Sequence, residues 1–143
     1  MTKLQAIRWF ADYVAGEHTI IVRERSEWGM SLSAKNPRLV LPQDLMQNDE
    51  EDKNFRKFFI SLCPIAQGFA NVTISILHEM GHHFHRIEYI TCDEHEYNNA
   101  YGLDHFNLPC ERVATDWAVE WLQDKEHRKI AKQFEKDFFG VGQ

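Results

Sequence analysis

The residues best suited to chemistry lie in HEMGHHFH, at positions 78–85. His78 and His82 are four residues apart, so on an α-helix they share one face, about 6 Å apart along the axis. Two neutral imidazoles at that spacing can bind one zinc ion. Glu79 follows His78 and points about 100° around the helix, within reach of a water beside the metal. The spacing His-Glu-x-x-His therefore predicts two metal ligands and a general base.

The surroundings of this stretch favour a buried helix over a solvated, histidine-rich surface. NVTISIL at 71–77 is apolar or small, and Asn71 is a candidate N-cap, so we predict a motif helix over about 71–87. Gly81 lies inside it, although an interior glycine costs about 1 kcal/mol relative to alanine. We expect Gly81 to permit the close approach of another backbone or of a substrate.

Length and composition predict one domain, residues 1–143, with a single hydrophobic core. The formal charge of −6 and the lack of a dense basic cluster argue against direct nucleic-acid binding. Three cysteines without a C-x-x-C pair suggest neither a disulfide framework nor a thiolate zinc site. The sequence shows neither a signal peptide nor a membrane span, so we expect a cytoplasmic protein without membrane association.

Hydrophobic periodicity predicts an α+β fold. A helical stripe closed by Gly16 comes first, and three short segments rich in β-branched or alternating residues follow, which suit a small, mostly antiparallel sheet. The helix covers 3–15 and the strands cover 18–25, 29–34 and 38–42. The acidic run 49–52 is typical of a solvated loop or the start of a helix.

The second half of the chain is predicted to be helical around one long connection. After the motif helix, residues 88–109 have no clear period and are interpreted as a loop beside the motif. A second helix is predicted over about 109–123 and a C-terminal helix over about 125–139.

A catalytic zinc ion needs a third protein ligand and an open position for water. His85 is on the motif helix but rotated away from the pair, whereas His95 and His105 in the loop could reach it. Glu111 begins the second helix, on the same stripe as the small residues at 114 and 118. If this stripe packs on the motif helix, Glu111 points inward, where a carboxylate is costly unless it is paired or bound to a metal. We favour Glu111 and retain the two histidines as alternatives.

HEMGHHFH followed by E-x-x-A-x-x-x-A (Glu111, Ala114, Ala118) resembles the ImmA/IrrE-type metallopeptidases, which are small gluzincins. The resemblance covers about 70–122 and implies a zincin-like domain in which the motif helix packs on a second, glutamate-bearing helix. It also implies that Glu111 is the third Zn²⁺ ligand. Thr115 departs from the family pattern, which often has Asn or Asp directly after the alanine.

The resemblance further implies a zinc-dependent peptidase, with Glu79 as general base, that cuts a specific protein or peptide. The candidate substrate is a transcriptional repressor or other helix–turn–helix regulator of a phage or mobile element. Two alternatives remain open: a SprT-like three-histidine protease that uses His95, and a binding module that does not cut its partner.

The loop after the motif offers candidate donors to the oxyanion and candidate contacts to the substrate. The candidates are Tyr97, Tyr101, His95 and His105. The strand RLVLP at 38–42 is a candidate edge for an extended peptide.

Overall fold

The structure is a computed structural model, and its described residues are 1–25, 27–31, 36–46, 48–85 and 94–140, with backbone only for 24, 25 and 94–96. This part of the chain is mixed α+β, as predicted. Its three strands are β1 (Ile20–Arg25), β2 (Gly29–Met30) and β3 (Arg38–Pro42). Its helices are α1 (Lys3–Ala15), α2 (Glu50–Leu62), a 3₁₀ turn (Pro64–Gly68), α3 (Asn71–Phe84), α4 (Glu94–Asn99), α5 (Leu103–Phe106), α6 (Pro109–Leu122) and α7 (Lys125–Phe139).

The sheet has the order β1-β3-β2 and is mixed. The prediction of antiparallel pairing is correct for β2 with β3 and wrong for β1 with β3, which run parallel from the pair Ile20 and Arg38 onward. The apolar run 39–41 is buried, which suits the central strand. The expectation that 38–42 offers a free edge is therefore wrong, because β3 is paired on both sides. Among the described strands, β2 is an edge strand beside the motif helix.

The first and last helices agree with the sequence. Thr2 closes a capping box with Gln5 at the start of α1, and Gly16 ends the helix in the left-handed conformation, with φ of 73°. Asp124 caps the start of α7 by accepting from two backbone amides. The two helices pack together through Phe10 and Phe134, whose stacked rings have centroids 4.6 Å apart.

The middle of the chain contains more helix than the sequence indicated. The acidic run 49–52 is the start of α2, with Asp49 as the N-cap and three carboxylates in the first turn. That placement is favourable because a helix N-terminus attracts negative charge. The interpretation of 88–109 as a loop is wrong where α4 and α5 form. Both helices are too short for a helical period to appear in the sequence.

Side chains from distant helices fix the start of α3. Ala70 is the N-cap, so the assignment of that role to Asn71 is wrong. The Glu135 carboxylate of α7 accepts from the Ala70 amide at 2.6 Å and from the Thr73 hydroxyl at 2.5 Å. The Arg56 guanidinium of α2 donates to the Asn71 side chain and to the carbonyl two residues before it. Glu135 of α7 thus supplies the acceptor that the Ala70 side chain cannot provide, while Arg56 of α2 holds the residues around the helix start in place.

Helices α3 and α6 lie in close contact at Gly81. A Cβ atom built on Gly81 would lie 2.9 Å from the Cα atom of Ala114, closer than side-chain carbons approach backbone. Gly81 therefore permits the backbone contact that its position in the motif predicted. We call α3 and α6 together the helix pair.

Two further expectations concern cysteines and membranes. Cys63 is free and buried, whereas Cys110 is disulfide-bonded, a bond that the odd number and the spacing of the cysteines did not suggest. Disulfide formation depends on proximity in the fold, which cysteine spacing does not reveal. No helix in the described part of the chain has the length and apolar character needed to cross a membrane.

Candidate metal site

The helix pair brings two imidazoles and one carboxylate to a common point. Oε2 of Glu111 lies 3.0 Å from Nε2 of His78 and 3.0 Å from Nε2 of His82. All three side chains are buried, with Glu111 only 6% exposed. Glu111 therefore points inward, as its helical stripe predicted.

These residues fit a divalent metal ion in chemistry and spacing. Three ligands placed tetrahedrally at about 2.0–2.1 Å from zinc are roughly 3.3 Å from one another, close to the separations found here. His78, His82 and the adjacent Glu79 also offer ligand atoms that all lie within 4.8 Å of one another. This buried group could hold a metal ion. Between the two carboxylates, Glu111 fits a ligand better because one of its oxygens is equally close to both imidazoles.

The environment of Glu111 stabilises its charged form. Burial alone would raise the pKa of this carboxyl group, but the hydrogen bonds and charges of His78 and His82 outweigh burial and hold the pKa well below its usual range. Glu111 is thus ionised, as a metal ligand must be. Its second oxygen, Oε1, lies 3.4 Å from the Tyr97 hydroxyl and 3.7 Å from Nε2 of His105.

Thr115 orients the first imidazole. Its hydroxyl oxygen lies 3.0 Å from Nδ1 of His78, and the side chain is fully buried one turn after Glu111. In the tautomer whose Nε2 is free for a metal, Nδ1–H donates to the Thr115 oxygen. Thr115, which departs from the pattern of the family that the motif resembles, therefore gives His78 a hydrogen-bond partner.

Glu79 has a different environment from Glu111, although both carboxylates are buried. Glu79 is 8% exposed, and its carboxylate has no hydrogen-bond or ion-pair partner among the described residues. Burial raises its pKa to about 7; the charge of His82 opposes this shift, and those of Glu111 and Glu27 add to it. An unpaired carboxylate beside two imidazoles can exchange a proton with a neighbouring water.

A cleft of about 620 Å³ opens over these groups. It is lined by His78 and His82, by Glu79 and Glu111, and by several side chains from other elements. Tyr97 and His105 lie at its edge, with ring centroids 5.3 Å apart. The cleft leaves the site open to molecules from the solvent.

The structure brings only some of the candidate contacts to the cleft. Tyr97 and His105 are there, whereas Tyr101 is 79% exposed and does not line it. His85 ends α3 and does not line the cleft either. The side chain of His95 lies outside the described residues, so its role as a candidate contact or ligand stays a prediction.

Sequence reasoning missed two features of the site. Thr115 was noted only as a departure, although its position one turn after Glu111 on the same helix could have indicated a contact to a ligand. The start of α2 also lines the cleft through Asp49, Glu51 and Asp52, which no local pattern links to the motif.

No protein-family model, curated protein or solved structure matches this chain.

Proposed function

We propose that the protein is a zinc-dependent peptidase of the ImmA/IrrE type, with His78, His82 and Glu111 as ligands and Glu79 as the general base. The observation that carries the proposal is the convergence of one Glu111 oxygen on both imidazoles, at 3.0 Å each. Beside them lies the buried Glu79 carboxylate, which has no partner among the described residues. A merely structural metal site would have no need of an unpaired carboxylate facing an open cleft.

Zinc bound by the three ligands would supply Lewis acidity, lowering the pKa of water and polarising a carbonyl group. Glu79 accepts a proton from the attacking water as its oxygen adds to the peptide carbon. The same carboxyl group then delivers that proton to the nitrogen as the C–N bond breaks, which gives a free acid and a free amine. Thr115 holds His78 in the ligating tautomer, while Tyr97 and His105 can donate to the carbonyl oxygen of the substrate.

The shape of the cleft supports a peptide as the substrate. The edge strand β2 lines the cleft through Gly29 and Met30, and its backbone can pair with an extended chain. We propose that the substrate is a specific cytoplasmic protein, such as a helix–turn–helix regulator, because the family that the motif resembles acts on such partners. Nothing in this proposal requires binding to nucleic acid.

The test compares wild type with Glu79→Gln and, as a matched control, Glu120→Gln, which makes the same change at an exposed position of α6. Each zinc-loaded protein is incubated with a peptide library and with casein, and products are identified by mass spectrometry. We expect wild type and Glu120→Gln to cut a narrow set of peptides and to cut casein poorly. Glu79→Gln should lose about 10²-fold or more in rate while keeping one zinc per chain.

Two results would overturn the proposal. Cleavage by Glu79→Gln at the wild-type rate would show that Glu79 is not the general base. A zinc-loaded wild type that binds peptides but cuts none would favour the binding module. Elemental analysis of wild type and of Glu111→Ala, both purified without chelator, distinguishes a site that uses Glu111 from a three-histidine site. Only the site that uses Glu111 loses its metal with this substitution.

A further inference from the structure

The cleft above the helix pair is lined by carboxylates and by no lysine or arginine among the described residues. Besides the two glutamates of the metal site, four acidic residues line it, and we call these four the acidic wall. They are Glu27, Asp49, Glu51 and Asp52. Glu27 precedes the edge strand, and the other three start α2, so negative charge lies on two elements of the cleft.

Two of the four acidic residues already stabilise the protein. The Asp49 side chain accepts from the Asp52 amide at 2.9 Å, and the Asp52 side chain accepts from the Asp49 amide at 3.1 Å. Glu27 and Glu51 have no hydrogen-bond or ion-pair partner within the described part of the chain, and both are exposed. Neither carboxylate is needed for the cap of α2, so both are available to a ligand.

The electrostatic environment agrees with an excess of negative charge. The pKa of Asp52 is raised to about 6, chiefly by burial; the hydrogen bond from the Asp49 amide opposes the shift, while the charges of Asp49 and Glu51 add to it. Inside the same cleft, the Glu79 side chain is only 8% exposed and has no hydrogen-bond or ion-pair partner within the described part of the chain. A concave surface with charges of one sign concentrates their field and attracts the opposite charge.

A smaller side pocket of about 220 Å³ adjoins the cleft and shares Trp28, Asp52 and Ser75 with it. The rest of its lining is mainly apolar and includes Leu45 and Val72. An apolar pocket with a carboxylate at its border suits a side chain that has an aliphatic stem and a cationic end. Lysine and arginine have this structure.

We infer that the cleft selects peptides with lysine or arginine next to the bond over the metal site, through the acidic wall and the adjoining side pocket. This inference rests on the proposed function, because it assumes that a peptide bond lies over the metal site. Recognition of a basic peptide can nevertheless be measured without cleavage. The motif itself does not indicate this chemical class of substrate.

The test measures binding to the full chain carrying Glu79→Gln, with zinc in the buffer, so that peptides are bound without being cut. The probes are fluorescein-labelled peptides of equal length that carry lysine, glutamate or the short cation diaminopropionate on both sides of a Leu-Leu centre. By fluorescence anisotropy, we expect the lysine peptide to bind about 10-fold more tightly than the glutamate peptide, with the ratio falling in about 0.5 M salt. The diaminopropionate peptide should bind more weakly than the lysine peptide, because it lacks the stem.

Paired variants distinguish an effect of the acidic wall on peptide binding from an effect of the overall charge of the protein. Glu27→Gln with Glu51→Gln removes two charges from the cleft, and Glu17→Gln with Glu50→Gln removes two charges from exposed positions outside it. In the Glu79→Gln background, the first pair should weaken lysine-peptide binding about 5-fold or more, and the second less than about 2-fold.

Equal effects of the two pairs, or no preference for lysine, would overturn the inference. Equal binding of the diaminopropionate peptide would overturn the role of the side pocket. Wild type incubated with the same peptides tests the proposed function separately: a lysine preference without cleavage contradicts the peptidase alone, and cleavage without preference contradicts the inference alone.

Discussion

The helix pair and the acidic wall are two sides of one cleft, and they hold carboxylates in opposite ways. On the helix pair, Glu111 is 6% exposed and is held by two imidazoles at 3.0 Å. On the acidic wall, Glu27 and Glu51 are exposed and have no partner within the described residues. The first arrangement requires tight packing, because a buried charge is costly without its partners. The second requires only that like charges face the same space.

This difference predicts how each side responds to substitution. Substitutions in the helix pair should change the spacing of tightly packed atoms, so even small changes in side-chain volume should have large effects on stability and metal binding. Changes on the acidic wall should act through charge, so their effects should be modest and should depend on salt and pH. Three substitutions test this, from the largest expected effect to the smallest.

Gly81→Ala should break the helix pair. The new Cβ would lie 2.9 Å from the Cα atom of Ala114, so the two helices must separate and the Glu111 oxygen must leave the imidazoles. We expect the free energy of unfolding to fall by about 2–3 kcal/mol, although helix propensity alone would raise it by about 1 kcal/mol. Urea denaturation measures the first effect, and zinc titration should show a loss of binding.

Gly68→Ala is the matched control for this substitution. A Cβ on Gly68 would have only the end of the Lys132 side chain nearby, at 3.9 Å, so stability should change by less than about 0.5 kcal/mol. Equal stability of the Gly81→Ala and Gly68→Ala variants would show that the close contact between the helices is not required.

Thr115→Val should weaken the metal site without changing its volume. The valine cannot accept the hydrogen bond from Nδ1 of His78, so we expect zinc affinity to fall about 10- to 100-fold. Competition with a chromophoric chelator measures this, and Thr115→Ser should restore most of the affinity because the hydroxyl returns. If valine and serine bind zinc equally well, Thr115 contributes packing only.

Asp52→Asn should have the smallest effect, and it should depend on pH. The pKa of Asp52 is raised from 3.8 to about 6 in the folded protein, so wild type loses stability from this group as the pH rises through about 6. Asparagine remains neutral, and its amide oxygen can still accept from the Asp49 amide. The free energy of unfolding of the variant should therefore exceed that of wild type by a few tenths to about 1 kcal/mol at pH 7.5 and by nothing at pH 3.5. This range is small because Asp52 is partly exposed, and solvent screens its charge.

Urea denaturation at the two pH values measures the difference between the variant and wild type. Glu50→Gln is the control, since its carboxylate is 86% exposed in the same turn and does not line the cleft. A gain for Asp52→Asn that is the same at both pH values would contradict the linkage to this carboxyl group.

The parts of the protein that local patterns describe were predicted from the sequence. α1, α6 and α7 begin and end within two residues of their predicted bounds, because capping residues, Gly16 and helical stripes are local signals. The same applies to the spacing of His78 and His82, which the geometry of one helix sets. The inward direction of Glu111 was predicted because a stripe of small residues fixes the face that packs.

The rest depends on contacts between distant residues. The parallel pairing of β1 with β3 and the short helices α4 and α5 have no local period that specifies them. The cap of α3 comes from Glu135, which is 65 residues away from Ala70 in the chain. Such a partner cannot be identified from residues near the helix end.

The sequence by itself determined the chemistry available to the cleft, namely two imidazoles and a carboxylate at helical spacing with a second carboxylate on a later helix. Only the tertiary structure decided that Thr115 reaches His78, that Glu79 is left without a partner among the described residues, and that the start of α2 faces the same cleft. The physical reason is that the types of the residues and their spacing along one helix are set locally. The distances between helices are set by packing, and here by the absence of a side chain at Gly81.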